Sequence, residues 1–230
     1  MEHKQQTKNN NRKNPTKTPK FLGLFCLNKK EGQTQVIQYA QENLNYLEQI
    51  LQQQNCGLIL DKQKMQILDK NIQNNIQQLQ NGFNFPATLH ITSLYCRNYK
   101  PQKKPEFINF KEGQLMDINI VGLIYIPNKI IFGIASVDQK QLMVENLCPH
   151  LTMFVKDCSP VYSNYVIHAL FDKEQNGPLH QDFENGNIFD KNFKKVQIFD
   201  NLEVNCKKQQ VIFIKNELNL CIPGITKTVY

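Results

Sequence analysis

The run Leu115-Met-Asp-Ile-Asn-Ile-Val-Gly-Leu-Ile-Tyr-Ile126 is followed by Pro127-Asn128-Lys129 and then by Ile130-Ile-Phe-Gly-Ile-Ala-Ser-Val137. Met116, Ile118, Ile120, Ile124 and Ile126 recur with a period of two, which predicts a strand carrying them on one face. The second run is apolar and rich in β-branched residues, and Pro127-Asn128 supplies the turn before it. The middle of the chain is therefore expected to be an antiparallel strand pair.

Working outward, further strands are expected at 151–155, 195–199, 202–206, 210–215 and 218–222, and upstream at 20–27 and 87–95. Between these last two the period changes. Val36, Ile37, Tyr39, Ala40, Leu44, Leu47, Ile50 and Leu51 recur at helical spacing over 33–51. After a break at Cys56-Gly57, Met65, Ile67, Leu68, Ile72, Ile76 and Leu79 predict a second helix over 62–79, stopped by Asn81-Gly82. Glutamine and asparagine are abundant in both helices, but the apolar period survives beneath them. The fold class is thus α+β, helices early and a largely antiparallel sheet system after them. Residues 21–230 are expected to form a single domain, with 42–81 as a helical insert and 100–106 as an exposed loop.

The 230 residues suffice to bury a real core, and no apolar run is long enough for a membrane-spanning helix. Of the net charge of +7, residues 1–20 supply +5 through Lys4, Lys8, Arg12, Lys13, Lys17 and Lys20 against Glu2. With almost no apolar residues, this stretch is expected to be a disordered basic tail. It suits a tether to a polyanion such as RNA, or equally a solvated tail or targeting signal. Seven scattered cysteines argue for reduced thiols. Cys148, His150 and Cys158 are metal-ligand types without a C-x-x-C pair, so no metal and no other cofactor is expected. These features describe a soluble monomer of the cytoplasm or nucleus with no membrane partner.

Two predicted strands carry one pattern, Leu89-His90-Ile91-Thr92 and Pro149-His150-Leu151-Thr152. Residues two apart on a strand share a face, so His90 projects with Thr92 and His150 with Thr152, while Leu89, Ile91, Leu151 and Met153 face a core. Cleavage of a phosphodiester needs a base for the attacking oxygen and an acid for the leaving oxygen, and imidazole serves both near neutral pH. Threonine hydroxyls can hold the phosphoryl oxygens. One H-x-T arises easily by chance; two inside predicted strands, each framed by apolar residues, do not. His168 and His180 read as structural or surface residues. Tyr95, Tyr99 and Tyr162 are candidates to stack on a base, and Lys100, Lys103 and Lys104 to meet backbone phosphates, with packing or plain exposure as the alternatives.

The paired motifs resemble those of the two-histidine (2H) phosphoesterases. Phe21-Leu-Gly-Leu-Phe25 followed by a helix, and the strand pair between the motifs, are similar to that family's fold. The stretch Cys148-Pro-His-Leu-Thr-Met-Phe-Val155 with Ser159-Pro-Val-Tyr-Ser-Asn164 most resembles the cyclic phosphodiesterase domain of fungal and plant tRNA ligases. The resemblance covers about residues 20–170. It implies a bilobal fold, two mostly antiparallel sheets around a central cleft with flanking helices. It further implies metal-independent opening of a 2′,3′-cyclic phosphate at an RNA 3′ end, such as that of a tRNA, with the phosphate kept on the 2′ oxygen. His90 and His150 would be the acid/base pair, in either order, and Thr92 and Thr152 would hold the phosphate. Ligase or kinase steps would fall to separate partners. Other readings are a non-catalytic module that binds RNA ends, cleavage of 2′,5′-oligonucleotides, trimming of RNA 3′ ends, hydrolysis of a cyclic nucleotide, and a scaffold built on the glutamine-rich helices.

Overall fold

A computed structural model describes residues 19–52, 84–96, 110–138 and 140–230, with Gln73, Leu79 and Phe107 as isolated positions. The expected tail over 1–18, most of the second helix with its Asn81-Gly82 stop, the 100–106 loop, Cys56, Tyr99, Lys100, Lys103 and Lys104 lie outside the described residues. The described elements are strands β1 (Phe21–Cys26), β2 (His90–Tyr95), β3 (Leu115–Ile126), β4 (Ile130–Ser136), β5 (His150–Val155), β6 (Lys195–Val204), β7 (Lys207–Lys215) and β8 (Leu220–Val229), and helices α1 (Lys29–Gln52), α2 (Tyr162–Phe171) and α3 (His180–Glu184). The α+β class and the antiparallel pairing stand.

Helix α1 begins four residues before the apolar period does, because Asn28 caps it. The Asn28 Oδ1 accepts from Glu31 N–H at 3.3 Å, and Glu31 returns a carboxylate oxygen to the Asn28 amide. Gly32 is needed in the first turn because a Cβ there would sit 2.3 Å from Cys26 Sγ. Residues 42–52 are the second half of this same helix, and Leu44, Leu47 and Leu51 are buried in the core.

All strand pairs are antiparallel. In place of the two sheets that the resemblance implies, the described strands form one, in the order β2-β1-β8-β3-β4-β5, with β7 on β3 and β6 on β7. The cause is the length of β3. Its first half, Leu115 to Ile120, pairs with β8, and Leu123 to Tyr125 pair with β7 further along. One strand thus threads both halves of the protein. It does not keep one face. A bulge between Ile120 and Gly122 reverses the alternation, since one extra residue moves every later side chain across the sheet. Ile118 and Ile120 pack in the core with α1, whereas Ile124 and Ile126 pack in the core with α2, on Val166, Ile167 and Leu170.

Two of the expected strands in the C-terminal half merge. Residues 195–199 and 202–204 are one strand, β6, bulged between Phe199 and Leu202, and Asn205 and Cys206, expected in a strand, form the turn into β7 with positive φ. Strand β8 continues through Pro223 to Val229. Pairing with β1 stops at Gly224, opposite Cys26, so the missing N–H of Pro223 removes no bond of that ladder.

The strands at the two ends of the six-strand path, β2 and β5, are neighbours in space, with Cα atoms within 8 Å of one another. Bulges at Leu22/Gly23, Ile120/Gly122 and Ile131/Phe132 permit the curl that brings them together. The chain before β5 fastens it to β2: Glu145 N–H donates to Ser93 O at 2.7 Å, and the Ser93 hydroxyl donates to Met143 O.

Candidate active site

The meeting of β2 and β5 sets the two H-x-T motifs against one cavity. His90, Thr92, His150 and Thr152 all line it, together with Phe21, Tyr95, Asn146, Ser163 and Asn164, around about 500 Å³. Leu89, Ile91, Leu151 and Met153 face the core behind, so each strand presents one imidazole and one hydroxyl forward, as strand alternation requires.

Both imidazoles are fixed by the same local device. His90 Nδ1 lies 3.1 Å from Thr88 O, and His150 Nδ1 lies 3.0 Å from Cys148 O, the carbonyl two residues earlier in each case. For His150 the carbonyl only accepts, so Nδ1 carries the hydrogen and Nε2 is the unprotonated nitrogen of the neutral ring. His90 Nδ1 also lies 3.1 Å from the Thr88 hydroxyl, which can donate to it, so both tautomers of His90 are satisfied there. Strand β2 begins at His90, three residues after the expected start at Ala87, and the Thr88 carbonyl meets the imidazole instead. The His90 ring also packs near-parallel to Phe21 and Phe25, at 4.9 and 5.0 Å between centroids. The His150 ring meets the edge of Phe132 at 5.7 Å. Both rings are therefore held on strands, by backbone and by aromatic contact, with little freedom to turn.

The surroundings favour the neutral rings. Burial pushes His150 down to about 4, against a smaller opposing effect of its bond to Cys148 O and a further lowering by the charge His90 would carry. Burial also lowers His90, partly offset by the bond to Thr88 O. A charge on His90 opposes a proton on His150.

His150 Nε2 lies 2.9 Å from Ser163 Oγ. The same oxygen accepts from the Thr152 hydroxyl at 3.2 Å and lies 2.8 Å from Pro160 O. Ser163 sits in the first turn of α2, and both it and Asn164 belong to the Ser159–Asn164 segment singled out by resemblance. Strand periodicity cannot find them, since a turn of chain and not a ladder carries them to β5. Tyr95 is 51% exposed at the cavity. Tyr162 is not among the lining residues, and its ring is covered by the Lys129 ammonium, 4.0 Å from the centroid. His168 is paired with Asp172 at 3.1 Å on the surface, and His180 Nδ1 bonds Gly177 O at 2.7 Å. Both stand apart from the cavity. The described cysteines are free thiols, and no group of three metal-ligating side chains occurs among the described residues.

Two neutral imidazoles facing one cavity with hydroxyl and amide donors can exchange protons with a bound anion from two directions.

No family model matches the chain, and no curated protein matches it. Among solved structures, a fungal RNA kinase is similar over 95% of this chain and 47% of its own, at 10% identity and a TM-score of 0.47. The chain thus spans about half of that structure's length, and so loose a likeness carries no argument about function.

Proposed function

We propose that this chain is a metal-independent phosphodiesterase that opens 2′,3′-cyclic phosphates at RNA 3′ ends, with His90 and His150 as its acid and base. One observation carries the reading: both H-x-T pairs line the same cavity, each imidazole held there through its Nδ1. The RNA substrate rests on the resemblance to the 2H phosphoesterases and on the basic stretch over residues 1–20.

His150, whose Nε2 faces the Ser163 hydroxyl, is the base that draws the proton from a water attacking phosphorus. His90, across the same cavity, is the acid that supplies one to the departing ribose oxygen as the ring P–O bond breaks. Thr92 and the neighbouring amide side chains hold the phosphoryl oxygens as charge moves onto them, whereas the hydroxyl of Thr152, the second phosphate contact expected from the sequence, is directed to Ser163 Oγ. A bound phosphate brings a negative charge between the two rings and raises both of their pKa values toward the working range.

The test is turnover of a short RNA ending in a 2′,3′-cyclic phosphate, with chelator present throughout. The expected result is ring opening by the wild type and a loss of kcat of about 10²–10⁴-fold in His90→Ala and in His150→Ala. Tight RNA binding without turnover, undiminished in both variants, would replace this reading with a non-catalytic end-binding module.

A further inference from the structure

The arrangement around His150 poses a geometric problem. Its Nδ1–H is committed to Cys148 O, so the neutral ring has one lone pair, on Nε2, with which to act as a base. That lone pair is already engaged. Ser163 Oγ lies 2.9 Å from Nε2, whereas His90 Nε2 has no protein partner among the described residues. The buried base meets a serine first and the substrate second.

The serine is itself placed between two acceptors. Its single hydroxyl hydrogen can go to His150 Nε2 or to Pro160 O at 2.8 Å, but to one at a time. Thr152 donates to the same oxygen at 3.2 Å and so fixes its position without competing for that hydrogen. Which acceptor takes the hydrogen depends on the imidazole. While His150 is neutral, its Nε2 lone pair can accept that hydrogen in place of Pro160 O. Once His150 carries a second proton, its Nε2–H donates to Ser163 Oγ, and the hydroxyl must turn to Pro160 O. Ser163 is almost wholly buried and borders the cavity.

We propose that Ser163 is a catalytic proton relay, carrying the proton of the attacking oxygen to His150 Nε2; the inference rests on the phosphodiesterase reading above. In the relay step the O–H bond of the attacking water breaks and its proton bonds to Ser163 Oγ. At the same time the serine's own O–H bond breaks and that proton bonds to His150 Nε2. The serine is a neutral hydroxyl before and after, the imidazole gains one positive charge, and the water oxygen keeps its electron pair to form the new P–O bond. The new serine hydrogen, received from the side of the water, then turns to Pro160 O. The threonine of the second motif thereby serves the relay by orienting its oxygen.

The test uses the full chain on a cyclic-phosphate-ended RNA, with Ser163→Ala and Ser163→Thr beside the wild type. For Ser163→Ala the expected result is a fall in kcat of about 10²-fold with KM held within about twofold. Ser163→Thr, which keeps the hydroxyl, should recover most of the rate. In mixtures of light and heavy water, the wild-type rate should curve with isotope fraction, as two protons moving together require, and the Ala variant should give a straighter line. A Ser163→Ala protein with wild-type kcat and wild-type curvature would overturn the relay and leave the phosphodiesterase standing. So would equal losses in the Ala and Thr variants with the curvature unchanged, because packing alone would then explain them. A wild type that turns over no cyclic phosphate would overturn the underlying reading, and the relay with it.

Discussion

At the scale of single residues, His150 ties the cavity to the stability of the chain. Its pKa is pushed from 6.5 down to about 4, chiefly by burial. The unfolded chain therefore binds a proton in this interval that the folded chain refuses, and stability rises with pH across it. The contribution is fully present above about 6.5 and is lost as pH falls toward 4, where the loss amounts to about 3 kcal/mol. We expect the melting temperature of the wild type to drop across this window, and that of His150→Asn to drop less. Equal acid sensitivity in the two would show that His150 is not the group responsible. The pairing of His90 with Thr92 and of His150 with Thr152 was legible in the sequence because strand alternation fixes the direction of both side chains. The Ser163 contact was not: nothing in a local pattern says which turn, eleven residues after Thr152, will return to it.

At the scale of elements, β1 and β2 support the first histidine together. Phe21 and Phe25 stack on His90 from β1, and Gly23 lies between them. A Cβ on Gly23 would stand 2.7 Å from Ile91 O, a backbone atom that cannot turn aside. Gly23→Ala must push β1 away from β2, at a cost of roughly 1–3 kcal/mol, and must move His90 off its stack. The expected outcome is a lower melting temperature together with a loss of turnover larger than the fraction unfolded accounts for. A variant with wild-type melting and wild-type rate would contradict this account of the β1–β2 contact. Element type was read well wherever the apolar period was unbroken; the bounds of β3 and the pairing of β3 with β4 follow from sequence alone. What alternation could not reveal was the bulge at Ile120/Gly122, because a glycine in a strand reads the same whether the strand runs straight or reverses its faces. Pro223-Gly224 likewise reads as a stop, and the strand runs through it because the β1 ladder begins only one residue later.

For the whole molecule, the site exists because a sheet of six consecutive neighbours curls until its first and last strands meet. Nothing in the two motifs encodes that curl, so their pairing across the cavity was a chemical expectation and not something their spacing could establish. The same closure has a consequence for the basic N-terminal stretch. Phe21 lines the cavity, so the chain that precedes it joins the folded body at the cavity's rim. Residues 1–18 carry Lys4, Lys8, Arg12, Lys13 and Lys17 against Glu2, whereas residues 21–230 amount to only +2. An RNA oligonucleotide carries further phosphates for these five cations to neutralise, and a mononucleotide does not. Deleting residues 1–18 should therefore leave the turnover of a nucleoside 2′,3′-cyclic phosphate unchanged while weakening kcat/KM for an oligonucleotide at low salt. Each cation withdrawn from a phosphate reduces the slope of log affinity against log salt by about 0.7 for a single strand, so five engaged cations set a limit of about 3.5. Measurement of kcat/KM for both substrates across a salt series separates the cases. An oligonucleotide slope that survives the deletion would place RNA binding on the folded body, and an equal fall for mononucleotide and oligonucleotide would make the stretch part of the cavity.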